Sequence, residues 1–94
     1  MDEYEQDTKV KVVDEYNISR GRKGIHFIKI PDDYYYVGEF RTAVARATGI
    51  RKDDFDLYNS QGKLLNPNND DIRCTTYKVR NGTTVKLERV NYEI

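Results

Sequence analysis

The stretch from residue 37 to residue 65 constrains the fold most strongly, because it reads as a helix, a glycine stop, a strand and a turn in succession. Four apolar side chains recur along one side of a 3.6-residue helix: Val37, Phe40, Val44 and Ala47. Gly49 follows, where a helix needs a residue that tolerates positive φ to close its last turn. Phe55 and Leu57 then alternate with polar residues, which is the period of a half-buried strand. The helix must therefore bury its apolar side on a sheet.

Further strand candidates lie on both sides of this helix. They are residues 10–13, 25–30, 64–65 and 83–90. Pro31 ends the second of them, because a proline has no amide for a ladder. Asp32 and Asp33 stand before the helix, and we expect a carboxylate there to accept hydrogen bonds from the first-turn amides. Ile72 or Cys74 is expected to fill the core beneath the loop that starts at residue 66. The predicted order is strand, strand, helix, strand, short strand, loop, strand.

The second strand does not show a simple alternation of apolar and polar residues. Its two faces are His26, Ile28 and Ile30 on one side, and Ile25, Phe27 and Lys29 on the other. Apolar residues on both faces indicate a bulge, a covered edge or an exposed patch. The sequence leaves these three alternatives open.

Composition excludes several classes of protein. The 94 residues suit one domain, and sixteen basic side chains balance sixteen acidic ones. Nucleic-acid binding usually requires a net basic excess, so we do not expect it. No apolar run approaches the length of a membrane span, and the single cysteine fits a reducing compartment. We expect an intracellular, cytoplasmic or nuclear, monomeric domain over residues 9–91, with a disordered acidic tail at residues 1–8 and a short tail at 92–94.

Several positions resemble the ubiquitin family in their joint spacing. In and after the helix these are Phe40, Val44, Gly49, Ile50, Asp53 and Leu57, followed by the Gly62-Lys63 turn. The segment from Tyr77 to Leu87 resembles the family's Tyr-x-Ile, polar turn and Ser-Thr-Leu-x-Leu ending without a gap. The resemblance extends over most of the chain from Val10 to Val90. It implies an α+β fold of the β-grasp type, with a mixed four- to five-stranded sheet packed on one helix.

The resemblance also implies roles for two residues near the long loop. Tyr77 would be the tyrosine that ties this loop down by a hydrogen bond to backbone, and Val79 the apolar residue that fills the core beside it.

Two departures from the family affect what the chain can do. Conjugated members end in Gly-Gly, whereas the last strand here is followed by residues 91–94, Asn-Tyr-Glu-Ile, so we expect no conjugation. Ubiquitin is bound through an apolar patch on the sheet face away from the helix. The corresponding positions here are Tyr58, Lys86 and Glu88. We therefore do not expect receptors of that apolar patch to bind.

Catalysis has little support in the sequence. Cys74 and His26 are the only residues that could form a nucleophile–base pair, and each is better explained as a packed side chain. One histidine and one cysteine cannot supply a closed metal site. We expect no enzyme activity, no metal and no cofactor.

Binding to another protein, of unidentified nature, is therefore the leading interpretation. One candidate surface is basic: Arg20, Arg22, Lys23, Lys29 and Arg41. Ras-binding relatives of the fold use basic residues of the second strand and helix, so a small GTPase is an alternative partner. RNA binding through the basic loop at residues 20–24 is a further alternative. The other candidate surface is formed by Ile25 and Phe27, which would need a partner or the N-terminal tail to cover them.

Overall fold

A single mixed sheet forms the framework of the molecule. The computed structural model describes residues 8–65, 68 and 70–90. The four strands are β1 (Val10–Asp14), β2 (Ile25–Ile28), β3 (Phe55–Tyr58) and β4 (Thr84–Arg89). Their spatial order is β2-β1-β4-β3, with β1 and β4 parallel in the centre and antiparallel pairs on either side. The predicted strand at Leu64 is reduced to one bridge with Tyr58.

The helices lie between the strands in sequence. α1 is a single turn (Glu15–Ile18) and α2 has three turns (Val37–Thr48). Two 3-10 segments follow, at Lys52–Asp54 and Cys74–Tyr77. Among the described residues no helix is long and apolar enough to span a membrane.

The core lies between α2 and the inward face of the sheet. Phe40 and Val44 of α2 are fully buried, and the alternate strand residues are buried with them: Val10, Val12, Ile28, Phe55, Leu57, Val85 and Leu87. Cys74 and Val79 close the core beneath the long loop, as predicted, while Ile72 packs on it only in part. Burial of one such side chain contributes about 2 kcal/mol. This packing confirms the prediction of one helix laid across one sheet.

The start of α2 differs from the prediction. Asp32 does not cap the helix, because its carboxylate accepts a hydrogen bond from the Tyr34 amide and so closes a local turn. The first-turn amides of Val37 and Gly38 instead donate to backbone carbonyls of the long loop, at 2.7 and 3.1 Å. The Glu39 carboxylate accepts from the amide that precedes the helix, at 3.0 Å. The long loop therefore supplies acceptors that the sequence could not place.

The buried side of α2 also differs from the prediction by a rotation. Ala47 is exposed, whereas Arg41 is buried. Position 47 lies ten residues beyond Val37, where a helix of 3.6 residues per turn has rotated well away from the direction of Val37. Position 41 lies four residues beyond Val37 and points in nearly the same direction as Val37. Gly49 ends the helix at φ 78°, as predicted.

Asn59 ties the turn after β3 to the base of the long loop. The Asn59 carboxamide oxygen accepts from the amides of Gln61 and Lys63, and its nitrogen donates to the carbonyl of Tyr77 at 2.8 Å. Tyr77 is buried at the base of the long loop. The predicted tails lie outside the described residues, apart from Thr8, as do residues 66, 67 and 69.

Candidate interaction surface

Strand β2 is an edge of the sheet, with β1 on one side and no described strand on the other. The Asp14 amide donates to the Gly24 carbonyl at 2.6 Å, which fixes the phase of the β1–β2 ladder. Hydrogen-bonded pairs alternate along an antiparallel ladder, so His26 and Ile28 direct their backbone groups toward β1. The backbone N–H and C=O groups of Ile25 and Phe27 consequently point away from the sheet. No group in the described part of the chain pairs with them, so the edge offers these groups to an added strand.

The outward face of this hairpin is apolar. Ile25 is 37% exposed, and it lies opposite Val13 across the ladder. Phe27 is half-buried and lies opposite Lys11. The register is continuous over all four pairs, so the strand contains no bulge. Of the three alternatives left by the sequence, the described residues support an exposed patch on an open edge.

Basic side chains flank both ends of β2. Arg22 and Lys23 precede the strand, Lys29 follows it, and all three are exposed. None of them forms an ion pair with another residue in the part of the chain that the structure describes. Arg20 is exposed as well, but its guanidinium stacks 3.7 Å from the centre of the Tyr16 ring.

Arg41 has to be removed from the predicted basic surface. It is only 4% exposed, and its Nη2 donates to the Lys52 carbonyl at 2.7 Å. Its Nη1 pairs with an Asp70 oxygen at 3.4 Å. The helix turns this residue toward the long loop, where the cation holds acidic and carbonyl groups together. It stabilises the loop and is not available to contact a partner.

The outward face of β3 and β4 is charged at the positions predicted. Lys86 lies opposite Tyr58 and pairs with Glu88 at 3.3 Å and with Glu15 at 3.9 Å. Glu88 itself lies opposite Asp56, a second carboxylate. A partner that buries a flat apolar patch would have to desolvate these charges.

The cysteine and the histidine have ordinary structural environments. Burial, followed by the nearby Glu39 carboxylate, raises the pKa of the Cys74 thiol to about 12, so this thiol stays protonated and is a poor nucleophile. Burial lowers the pKa of His26, and Lys23 lowers it further, against a smaller opposite effect of Asp14. Among the described residues no group of three or more potential metal ligands occurs.

Sequence reasoning missed a buried charge cluster beside this surface. The Asp14 carboxylate is fully buried and accepts from Arg89 Nη2 at 3.0 Å. The Arg89 guanidinium also lies 4.6 Å from the centre of the Tyr16 ring, which therefore contacts two arginines. The sequence held a signal of this pair, because Asp14 continues the alternation of inward-facing residues that starts with Val10 and Val12. An acid and a base at inward positions of neighbouring strands predict a buried pair.

Comparison with known proteins supports the fold alone. No protein-family model matches the chain, and a search of curated proteins gave no match. Among solved structures, the ubiquitin of Caldiarchaeum subterraneum is similar at a TM-score of 0.68 and 20% identity, over 93% of this chain and 98% of that one. A designed protein based on human erythrocytic ubiquitin is similar at a TM-score of 0.64 and 21% identity, over 87% and 90% of the two chains.

A longer protein is also similar in structure. ATBAG1 in complex with HSP70 matches at a TM-score of 0.68 and 16% identity. The match covers 90% of this chain but only 41% of that one, so this chain spans less than half its length. Together with the sheet order and the helix packing, these similarities confirm the ubiquitin-like β-grasp fold.

Proposed function

We propose that this chain is a non-catalytic protein-interaction domain that binds a partner through the edge strand β2 and is not itself conjugated. The observation that carries the proposal is the open edge, where Ile25 and Phe27 present unpaired backbone groups beside apolar side chains. An extended segment can add to such an edge, because main-chain hydrogen bonds supply affinity and neighbouring side chains supply specificity. The complex of the similar ATBAG1 with HSP70 supports a protein as the class of partner.

The charges beside the edge indicate which partners it favours. Arg22, Lys23 and Lys29 would attract an acidic segment and steer its approach. Two copies of this chain would instead bring their own cations together, since antiparallel pairing of β2 with itself sets Lys29 near Lys23. The edge therefore favours an acidic partner over self-association.

A small GTPase of the Ras type is the second candidate partner. The observation that favours it is the same one, a basic open edge that could add to an acidic strand. The burial of Arg41 weakens this candidate, because one of the five cations of the predicted basic surface faces the interior. It predicts binding that depends on the bound nucleotide.

Non-conjugation rests on the sequence. The residues that follow β4, from Val90 to Ile94, contain no Gly-Gly. We expect the chain that ends at Ile94 to form no thioester with a ubiquitin-activating enzyme in a purified reaction, and the same chain with Gly-Gly appended is the matched comparison.

Charge reversal at the edge tests the proposed site. A variant that combines Arg22→Glu, Lys23→Glu and Lys29→Glu should bind its partner at least about tenfold more weakly, because it repels an acidic segment. Pulldown with quantitative mass spectrometry identifies partners, and titration of each purified partner gives the dissociation constant. Unchanged affinity would contradict the proposal.

The control carries the same change of charge at exposed positions away from β2: Arg46→Glu, Lys63→Glu and Lys78→Glu. It should bind as the unmodified chain does.

Two further titrations separate the alternatives. GTPases loaded with either nucleotide test the second candidate, and RNA at two salt concentrations tests the basic loop, since phosphate contacts weaken steeply with salt.

A further inference from the structure

The turn that leads into β4 contains the one Asn-Gly pair of the sequence, Asn81-Gly82. Asparagine is among the chemically labile side chains, and a glycine after it has no Cβ to shield the backbone nitrogen. Gly82 is exposed and Asn81 is half-buried, so water reaches the pair. Sequence and exposure alone therefore predict a fast site of spontaneous deamidation.

Deamidation requires two groups of this pair to meet. The Gly82 backbone nitrogen loses its proton to hydroxide and attacks Cγ, the carbonyl carbon of the Asn81 side chain. A C–N bond forms, the bond from Cγ to the carboxamide nitrogen breaks, and that nitrogen leaves as ammonia with a proton from water. Water then opens the cyclic imide at either of its carbonyls, which leaves aspartate or isoaspartate. Hydroxide and water are the only co-reactants.

The fold engages both reacting groups with other partners. The Asn81 carboxamide accepts from the Ile30 amide at 2.9 Å and donates to the Ile30 carbonyl at 2.8 Å. The Gly82 amide donates to the Lys9 carbonyl at 2.9 Å, at the start of β1. The nitrogen must leave Lys9 and the carboxamide must leave Ile30 before they can react. These three hydrogen bonds therefore have to open first.

Thr83 braces the same turn. Its hydroxyl donates to the Arg80 carbonyl at 2.7 Å and accepts from the Arg80 amide at 3.2 Å. Its amide also donates to the Arg80 carbonyl, at 3.0 Å. The positive φ of Gly82, 98°, suits a glycine in this turn. The brace holds residues 80–83 in one conformation and opposes the rotation that would bring the Asn81 Cγ to the Gly82 nitrogen.

We propose that Asn81-Gly82 is a spontaneous deamidation site that the folded chain keeps unreactive, and that its reaction releases the end of the β2 edge. The protection follows from the hydrogen bonds at both reacting groups. The release follows because a carboxylate cannot donate to the Ile30 carbonyl and is repelled by it, while isoaspartate also lengthens the main chain of the turn. Ile30 lies two residues beyond the last residue of β2, so this end of the edge loses its attachment.

The rate of deamidation tests the protection. The purified chain and a synthetic peptide of residues 77–87 are incubated in the same mildly alkaline buffer, and mass spectrometry of proteolytic fragments locates the product. The peptide should react at least about tenfold faster than the folded chain, and the chain unfolded in urea should match the peptide, because local opening limits the reaction. Equal rates for peptide and folded chain would overturn the protection. A peptide that stays intact would overturn the site.

Removal of the brace tests the protection within the folded chain. Thr83→Val replaces the hydroxyl by a methyl group of similar size and should speed deamidation several-fold at an unchanged circular dichroism spectrum. Thr84→Val makes the same change at the next, exposed position and should leave the rate as it is. Equal rates for the two variants would contradict the role of the brace.

Amide exchange supplies a readout that does not depend on this variant. When urea is added to the unmodified chain below its unfolding transition, exchange of the Gly82 amide and deamidation should accelerate together, because both require the bond to Lys9 to open. Deamidation that accelerates while the Gly82 amide stays protected would overturn the mechanism.

The deamidated chain tests the release of β2. It carries an additional negative charge and is separated by anion exchange. Its Ile30 amide should exchange at least about tenfold faster than in the unmodified chain, whereas the amides of Val12 and Leu87 in the central strands should stay protected. Unchanged exchange at Ile30 would overturn the release.

The consequence for a partner rests on the proposed function, because it requires that a partner add to β2. The deamidated chain should bind a purified acidic partner several-fold more weakly, since the end of the edge that carries Lys29 is no longer held. If the triple charge reversal at the edge weakens binding but deamidation does not, the link between the turn and the edge fails and the proposed function stands. If neither change affects the affinity, the proposed site fails, and the rate and exchange results still decide the deamidation site.

Discussion

At the scale of single residues, polar side chains that look ordinary in the sequence make the most specific contacts in the structure. Asp14 and Arg89 form a pair whose carboxylate is fully buried at the end of two parallel strands. Such a pair is costly to break, because either partner alone is left with an uncompensated charge away from water. The exposed pair of Arg51 with Asp54 contributes little by comparison.

His26 gives the clearest dependence on pH. Its pKa lies below the ordinary histidine value of 6.5, chiefly because of burial and then because of the nearby Lys23. The unfolded chain therefore binds more protons at this residue than the folded chain does as the pH falls below 6.5. This contribution to stability is full above that pH and is lost as the pH falls through the folded-state pKa.

Substitution of this histidine isolates the effect. The free energy of unfolding of His26→Gln should depend less on pH than that of the unmodified chain between about pH 7.5 and 5.5. Urea unfolding at a series of pH values measures the difference. If the curves of unfolding free energy against pH stay parallel for the two proteins over this range, burial does not shift the pKa of the histidine.

At the scale of secondary-structure elements, strongly periodic segments were predictable and segments defined by tertiary contacts were not. The bounds of α2, the stop at Gly49 and the alternation in β3 follow from local pattern. The one-turn helix α1 has no such local pattern, because its start depends on the side chain of Asp14 accepting from the Asn17 amide at 3.4 Å. The cap of α2 was assigned wrongly for a similar reason, since its acceptors come from residues 70 and 72.

At the end of β2, one side chain supplies the backbone hydrogen bonds that a neighbouring strand would otherwise supply. The ladder with β1 stops at Ile28. The next residue that points inward is Ile30, and its backbone groups form hydrogen bonds with the side chain of Asn81 instead. Its carboxamide accepts from the Ile30 amide at 2.9 Å and donates to the Ile30 carbonyl at 2.8 Å, across 51 positions in sequence. The resemblance over Tyr77–Leu87 implied only a polar turn in this region.

Removal of this carboxamide should destabilise the fold. We expect Asn81→Ala to lower the free energy of unfolding by about 2 kcal/mol, because two backbone groups of Ile30 lose their partners. Ser60→Ala, in an exposed turn, is the control and should change it by less than about 0.5 kcal/mol. Urea unfolding followed by circular dichroism measures both. A loss for Asn81→Ala as small as that of the control would contradict the proposed role.

At the scale of the whole molecule, the fold could be predicted and the binding surface only in part. The spacing of apolar residues, glycines and turns along 10–90 fits one topology, which the structure and its similarity to ubiquitin confirm. Which residues face a partner depends on strand order and ladder phase, and neither appears in the sequence. The sequence marks Ile25 and Phe27 as unusual, but only the register of the β1–β2 ladder shows that they lie on an open edge. Arg41 was assigned to the surface because a charged residue is usually solvated.

Amide hydrogen exchange tests the central claim, an open β2 edge, most directly. In the free chain the amides of Ile25 and Phe27 should exchange within about tenfold of the rate of an unfolded peptide, since no described group accepts from them. Those of His26 and Ile28 point toward β1 and should be protected by at least about a thousandfold. An acidic partner should then slow exchange at Ile25 and Phe27. Strong protection of all four amides in the free chain, or the reverse alternation, would contradict the account.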